Sequence, residues 1–178
     1  MPTTLLLDKE EMTRILERLA CEVLERHGQC ERVMLVGIER RGADLARRLG
    51  ALMQQKLQRP LPLGTLDINL YRDDWTSLEG KPHIGQSRIT APVDSAEIIL
   101  IDDVLFSGRT IRAALEALLD YGRPRKVELL VLVDRGHREL PIQADYIGRS
   151  VDTRPQEQVD VLLEERDGRD EVLLTAKN

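Results

Sequence analysis

Ile98-Ile99-Leu100-Ile101-Asp102-Asp103-Val104-Leu105-Phe106-Ser107-Gly108-Arg109-Thr110 runs from four apolar residues into two adjacent acids, then into a turn carrying a hydroxyl and a glycine. The apolar run reads as a buried strand, and Ile111, Ala114, Leu115 and Leu118 read as the inner face of the following helix. Free backbone N–H groups and the dipole at such a helix start bind anions. Gly108 allows close approach of the backbone, and the Ser107 and Thr110 hydroxyls add two donors. Two carboxylates beside an anion cradle repel its ligand unless something lies between, and sugar hydroxyls or Mg²⁺ fill that gap. The bland alternative is a strand-end acid pair with Ser107 as an ordinary helix cap. No G-x-x-x-x-G-K-[ST] accompanies the acids: Gly37-Ile38-Glu39-Arg40-Arg41-Gly42 has the glycines but is followed by Ala43-Asp44. G-x-G-x-x-G is also absent.

On either side, strands and helices alternate. Asp8-Lys9-Glu10-Glu11 has the form of a capping box, and Met12, Ile15, Leu16, Leu19, Ala20, Val23 and Leu24 form one helical stripe ending near His27-Gly28. Val33 to Val36 is a short buried strand ending at Gly37, and a second helix starts at about Gly42. Leu66, Ile68 and Leu70 alternate with polar neighbours, which predicts a strand. From Arg72 to about Asp94 periodicity vanishes, and a loop of that length reads as a functional lid or a disordered segment. Val127 to Val133 is another buried strand. Val159 to Leu163 and Glu171 to Thr175 close the chain, with Arg166-Asp167-Gly168 between them as a hairpin turn. The pattern predicts an α/β fold, one domain over residues 1–178, with a mainly parallel sheet covered by helices on both faces. Ligands of such sheets sit at the carboxyl ends of the strands.

Composition narrows the function. The 178 residues are 42% hydrophobic and 32% charged, the balance of a folded chain. No apolar run approaches the ~18 residues of a membrane span. The start lacks the basic and apolar regions of a secretory signal. Cys21 and Cys30 make neither a disulfide framework nor a zinc site. A cytoplasmic protein is expected. The net charge of −5 gives no whole-body attraction for nucleic acid, and 3% aromatics argues against recognition by base stacking. Any RNA partner needs a local basic face.

The stretch from Ile98 to Thr110 resembles the 5-phosphoribosyl-1-diphosphate (PRPP) signature of type I phosphoribosyltransferases. Nearly the whole chain is similar to the PyrR family, bifunctional pyrimidine-operon attenuators and uracil phosphoribosyltransferases. The likeness includes Val36-Gly37-Ile38, Arg41-Gly42, Leu70-Tyr71-Arg72-Asp73-Asp74 and Tyr121-Gly122-Arg123-Pro124. Val131-Leu132-Val133-Asp134-Arg135-Gly136-His137-Arg138-Glu139-Leu140-Pro141-Ile142 is its most specific part. The resemblance implies that Asp102 and Asp103 hold the ribose hydroxyls, directly or through Mg²⁺. It places the 5′-phosphate on Val104, Leu105, Phe106, Ser107, Gly108, Arg109 and Thr110. Pyrophosphate would sit on Arg40 and Arg41, and Arg41 joins the two acids as a catalytic residue. A flexible hood over residues 72–94 would bring Arg72 or Arg88 to the pyrophosphate. Val133, Asp134 and Arg135 would meet the uracil base, with Val159 as an apolar platform. The reaction implied is attack of uracil N1 on C1 of PRPP, giving UMP and pyrophosphate. Phe106 stands where purine members carry an aspartate base, which favours a pyrimidine.

The same resemblance implies binding of pyrimidine-operon leader RNA, strengthened by UMP or UTP, through His137, Arg138, Arg149, Thr153 and Arg26. It also implies a homodimer or larger homo-oligomer. Glu17, Cys21 and Gln143 depart from the family on that face, since Glu17 repels phosphate and Gln143 lacks the guanidinium fork. Two other readings stand beside the bifunctional one: a salvage enzyme without RNA binding, and a regulator that only senses nucleotides.

Overall fold

The computed structural model describes residues 3–74 and 85–176. Among these, the chain order is β1 (Thr3–Leu7), α1 (Lys9–His27), β2 (Val33–Ile38), α2 (Arg41–Leu57), β3 (Leu63–Leu66), β4 (Glu97–Leu105), α3 (Arg109–Leu119), β5 (Lys126–Asp134), β6 (Tyr146–Ser150), β7 (Glu157–Leu162), the one-turn helix α4 (Glu164–Asp167) and β8 (Glu171–Ala176). Five strands form a parallel sheet in the order β3-β2-β4-β5-β6. A separate antiparallel ribbon has the order β1-β8-β7.

Continuous apolar runs make the sheet because both its faces are covered. All six residues of β2 are buried, as are Ile98 to Ile101 and Leu129 to Val133. On one face, Leu16, Leu19 and Val23 of α1 and Leu45, Leu49 and Met53 of α2 share a core with Leu35, Ile99, Ile101 and Leu130. On the other, Ile111, Ala114 and Leu118 of α3 pack with Val36, Ile98, Leu100 and Val131. The α1 capping box is present: Glu11 N–H donates to Asp8 Oδ1 at 2.8 Å and Asp8 N–H to Glu11 Oε2 at 3.0 Å.

Gly42 sets how closely α2 approaches the site. A Cβ there would lie 2.4 Å from the Ile101 carbonyl oxygen, so only glycine lets the first turn of α2 rest against β4 beside Asp102.

The structure departs from the sequence expectation at four places. The alternation at Leu66, Ile68 and Leu70 is not a strand. β3 stops at Leu66, Asp67 Oδ1 accepts the Asn69 N–H at 2.8 Å, and a 3₁₀ turn follows at Asn69–Tyr71 with Leu70 exposed. That side chain satisfies the backbone locally and ends the strand. Arg166-Asp167-Gly168 is not a two-residue hairpin turn but the end of α4, with Gly168 at φ 69 as its cap. β1 and β6 were not anticipated. Both are short outer strands, and β6 carries Gly148 and a charged end. Of the loop expected at 72–94, residues 75–84 lie outside the described residues. Residues 85–94 include a piece fastened to β3, since Thr65 and Arg88 exchange two backbone hydrogen bonds at 2.8 Å.

Candidate active site and RNA-facing arm

The carboxyl ends of β2, β4 and β5 bring the chemical residues together. Near the end of β4 stand Asp102, buried, and Asp103, half-buried, side by side. Burial, and then the neighbouring Asp103 charge, pushes the Asp102 carboxyl well above the usual range. Burial also raises Asp103, although Asp102, the Val104 N–H and the Arg41 charge pull it back. Two carboxylates that cannot both ionise cheaply invite hydroxyl donors or a hard cation. Among the described residues no group of three or more His, Cys, Asp or Glu could hold a metal. The pair therefore fits Mg²⁺ only as part of a shell completed by other oxygens.

Next to the acids, Gly108 takes φ 91 and opens α3 with no side chain of its own to cap it; Arg109 N–H turns to Ser107 Oγ, leaving the N–H groups of Thr110 and Ile111 for a ligand. Ser107 Oγ lies 3.3 Å from Arg109 N. A cavity of about 490 Å³ here is lined by Phe106, Ser107, Arg109 and Thr110, with Arg72, Asp73 and Asp74 across from them. Arg109 bridges the two walls, donating to Asp73 at 2.6 Å and Glu139 at 2.5 Å. Arg72 is paired with Asp74 at 2.7 and 2.8 Å, and Arg88 is exposed beside β3. On the other side of the acids, the turn between β2 and α2 presents Arg40, exposed, and Arg41. The Glu39–Arg40 peptide is cis. Arg41 donates to Asp167 at 3.1 Å, and its Nε is buried without a hydrogen-bond partner.

Of the residues expected at the base, Val133, Asp134 and Arg135 sit at the end of β5 and Val159 lies on β7. Val133 pairs with Val104 in the sheet, and Val159 is buried in the same apolar cluster. Asp134 accepts the Gly136 N–H at 2.9 Å and Arg138 at 2.5 Å. The Arg135 guanidinium lies 4.1 Å from the centre of the Phe106 ring, and burial lowers its pKa, partly offset by Glu157.

The arm after β5 is tied to the phosphate loop. The Ser107 carbonyl accepts the Glu139 and Leu140 N–H groups at 2.9 and 3.1 Å. Arg138 donates to the Phe106 carbonyl at 2.8 Å and the Ile142 carbonyl at 2.9 Å, so its guanidinium braces the chain. His137 Nε2 lies 2.6 Å from the Thr153 carbonyl, and its ring meets Phe106 edge-on. Arg149 reaches the Leu6 carbonyl at 3.0 Å. The structure does not bring Arg26 to this face. Its guanidinium stacks 4.5 Å over Tyr146 and lies 3.7 Å from Glu128, at the amino ends of β5 and β6. Two arginines absent from the sequence reading do line a groove of about 370 Å³ with Arg149: Arg14 and Arg18 of α1. Their i, i+4 spacing was the available signal. Asp73 and Asp167, both carboxylate partners of site arginines, were also missed.

The family described as phosphoribosyl transferase domain matches residues 3–164. Proteins named bifunctional protein PyrR are similar over almost their whole length. That of Syntrophobacter fumaroxidans is 49% identical over 168 residues, covering 94% of this chain and 90% of its own. That of Enterococcus faecalis is 46% identical over 178 residues, covering 100% and 99%. The chain belongs to the PyrR family of phosphoribosyltransferases. Among solved structures, the hypoxanthine phosphoribosyltransferase of Trypanosoma cruzi superposes with a TM-score of 0.71 at 11% identity, covering 98% of this chain and 97% of its own. A hypoxanthine phosphoribosyltransferase of Staphylococcus aureus gives 0.68 at 20%, covering 98% and 92%. These establish the type I phosphoribosyltransferase fold for this PyrR-family chain. No helix among the described residues is long and apolar enough to cross a membrane.

Proposed function

We propose that the chain joins uracil to PRPP, giving UMP and pyrophosphate, and that it also binds pyrimidine-operon leader RNA to regulate transcription by attenuation. The observation that carries the enzyme reading is the acid pair Asp102-Asp103 set between the open start of α3 and Arg41. In this reading the ribose hydroxyls donate to Asp102 and Asp103, the 5′-phosphate lies on residues 104–110, and pyrophosphate leaves toward Arg40 and Arg41. Bound Mg²⁺, held by the acids together with PRPP oxygens, would neutralise the departing charge. The chain's own residues orient C1 and stabilise the leaving group, which is how sites without covalent chemistry accelerate transfer. Phe106 takes no proton, and with Arg135 beneath its ring it forms an apolar, cationic wall for the base beside Val133, Asp134 and Val159. Residues 72–94 would close over PRPP and keep water out, with Arg72 or Arg88 near the pyrophosphate.

His137, Thr153 and Arg149, joined by Arg14 and Arg18, supply the basic face for RNA, and Arg138 holds that arm in shape. UMP or UTP would strengthen RNA binding because the arm is hydrogen-bonded to the phosphate loop at Ser107. A cytoplasmic homodimer or larger homo-oligomer completes the reading. A second reading, a uracil salvage enzyme without RNA, is favoured by Glu17 and Cys21, both exposed on α1. The test is UMP formation from uracil, PRPP and Mg²⁺, followed by filter binding of a pyrimidine-leader stem-loop with and without UMP. UMP formation with UMP-strengthened RNA binding supports the bifunctional reading. UMP formation without RNA binding supports salvage alone, and no UMP formation sinks the enzyme assignment.

A further inference from the structure

Arg41, the first residue of α2, is held from outside the parallel sheet. Its guanidinium donates to Asp167 Oδ1 at 3.1 Å and Oδ2 at 3.3 Å, from the last residue of α4 in the ribbon. The Asp167 carboxylate is itself fixed, because Oδ2 accepts the Leu163 N–H at 2.8 Å. That hydrogen bond, and then Arg41, hold Asp167 below the usual carboxylate range despite some burial. Other side chains fasten this connector to the scaffold. Arg48 binds Glu165 at 2.6 and 2.8 Å and Asp170 at 2.7 and 3.0 Å. Arg166 binds the buried Asp44 carboxylate and donates to the Arg40 carbonyl at 3.3 Å. The connector is therefore anchored without Asp167, whose side chain alone reaches Arg41. Arg41 still has a buried Nε–H without a hydrogen-bond partner. Its pairing is incomplete in the way a site awaiting an anion requires.

Building on the phosphoribosyl-transfer reading, we infer that Asp167 is the resident counter-ion of Arg41. It yields the guanidinium to a pyrophosphate oxygen and takes it back when the anion leaves. A cation at a helix start faces the like-signed end of the dipole. Left alone there, Arg41 would bind a polyanionic product too tightly for ready release. Asp167 offsets part of that charge and keeps the guanidinium in one place between turnovers, so it is a positioning residue.

The test uses Asp167→Asn, whose amide oxygen still accepts the Leu163 N–H while the charge is lost. Magnesium pyrophosphate binding is measured by calorimetry in the full chain, in Asp167→Asn, in Arg41→Ala and in the double variant. Pyrophosphate inhibition of UMP synthesis is measured alongside. Asp167→Asn should tighten pyrophosphate about two- to fivefold, the size of an exposed charge pair, and lower KM for PRPP together with kcat. The tightening should vanish in the Arg41→Ala background. A merely structural Asp167 would weaken pyrophosphate binding instead. Unchanged or weaker binding in Asp167→Asn, or equal tightening without Arg41, overturns the inference. Should Asn lower the melting temperature, Asp167→Ser keeps an acceptor and must change affinity in the same direction. If the wild-type chain makes no UMP, the transfer reading fails, and calorimetry still decides the role of Asp167.

Discussion

β4 carries acids at both ends, Glu97 at one and the pair Asp102-Asp103 at the other, and the two ends treat them oppositely. At the amino end, His27 lies between Glu97 and Glu128, with Nδ1 2.9 Å from one carboxylate and Nε2 2.5 Å from the other. Tyr146 donates to Glu128 at 2.9 Å, and Lys126 also pairs with it. Burial alone would raise Glu128, but hydrogen bonds from Lys126, His27 and Tyr146 bring it down to about 2. At the carboxyl end, Asp102 and Asp103 face each other with their carboxyls pushed up, and Arg41 keeps a donor unspent. One acidic cluster is complete and stabilises the fold. The other is left incomplete, and the missing partners are the ligand's. Strain of this kind concentrates at functional sites and is held there by the rest of the structure.

The largest effect should come from the incomplete end. Asp103→Asn should lower kcat for UMP formation about 10²–10³-fold, the usual loss for one preorganised electrostatic group. The melting temperature should hold or rise, because a like-charge contact is removed. A variant with wild-type turnover would show that the acids are ordinary strand-end residues. The complete end should answer in reverse. Glu128→Gln should destabilise the chain by about 2–3 kcal/mol, read from denaturant midpoints, because a buried, fully bonded charge loses most of its partners. Activity of the folded fraction should stay near wild type. Loss of turnover without loss of stability would mean that the two ends are not separate.

Acid should divide them again. Glu128 is depressed in the folded state, so its contribution is whole above its ordinary value of 4.5 and is lost as pH falls toward about 2. Asp102 and Asp103 are raised, so their cost is present at neutral pH and is relieved as they protonate. Stability measured from pH 5 down to about 2 should fall in the wild type and fall less steeply in Glu128→Gln. Between pH 5 and the ordinary aspartate value of 3.8 it should fall more steeply in Asp103→Asn, which has less cost to relieve. Parallel curves for all three would remove the contrast in charge state.

The two ends also differ in how plainly the sequence announces them. The acid pair, Gly108 and the hydroxyls follow one another within a single strand–turn–helix, so local pattern and function coincide at Asp102 to Thr110. Val133 to Arg135 and Arg40-Arg41 were legible for the same reason: strand ends point to one edge of a parallel sheet. The His27 cluster joins α1, β4, β5 and β6, with His27 and Glu128 alone 101 residues apart, and no local pattern encodes that. Asp167 was read as part of a turn because Asp-Gly serves both a hairpin and a helix cap, and only the docking of α4 on α2 brings its carboxylate to Arg41. Arg26 misled in the opposite way. It shares a helix with Arg14 and Arg18 but lies two to three turns on, and it joins the amino-end cluster.

Arg26 therefore supplies the finest division between the ends. Arg149 lies in register with Val133 near the carboxyl end, beside the groove that Arg14 and Arg18 line. If leader RNA lies along that groove, Arg149→Ala should reduce the slope of log affinity against log salt by about 0.7–0.9, one phosphate's worth. Arg26→Ala should leave the slope unchanged, because Arg26 lies at the amino ends of β5 and β6, against Glu128 and the Tyr146 ring and away from that groove. Arg138→Ala should weaken binding with little change of slope, since its guanidinium shapes the arm through the Phe106 and Ile142 carbonyls rather than facing phosphate. Equal slope changes for Arg26 and Arg149 would mean that the RNA wraps both ends of the sheet. The amino-end cluster would then carry a second duty besides holding the fold, and the contrast between the ends would no longer be one of stability against function.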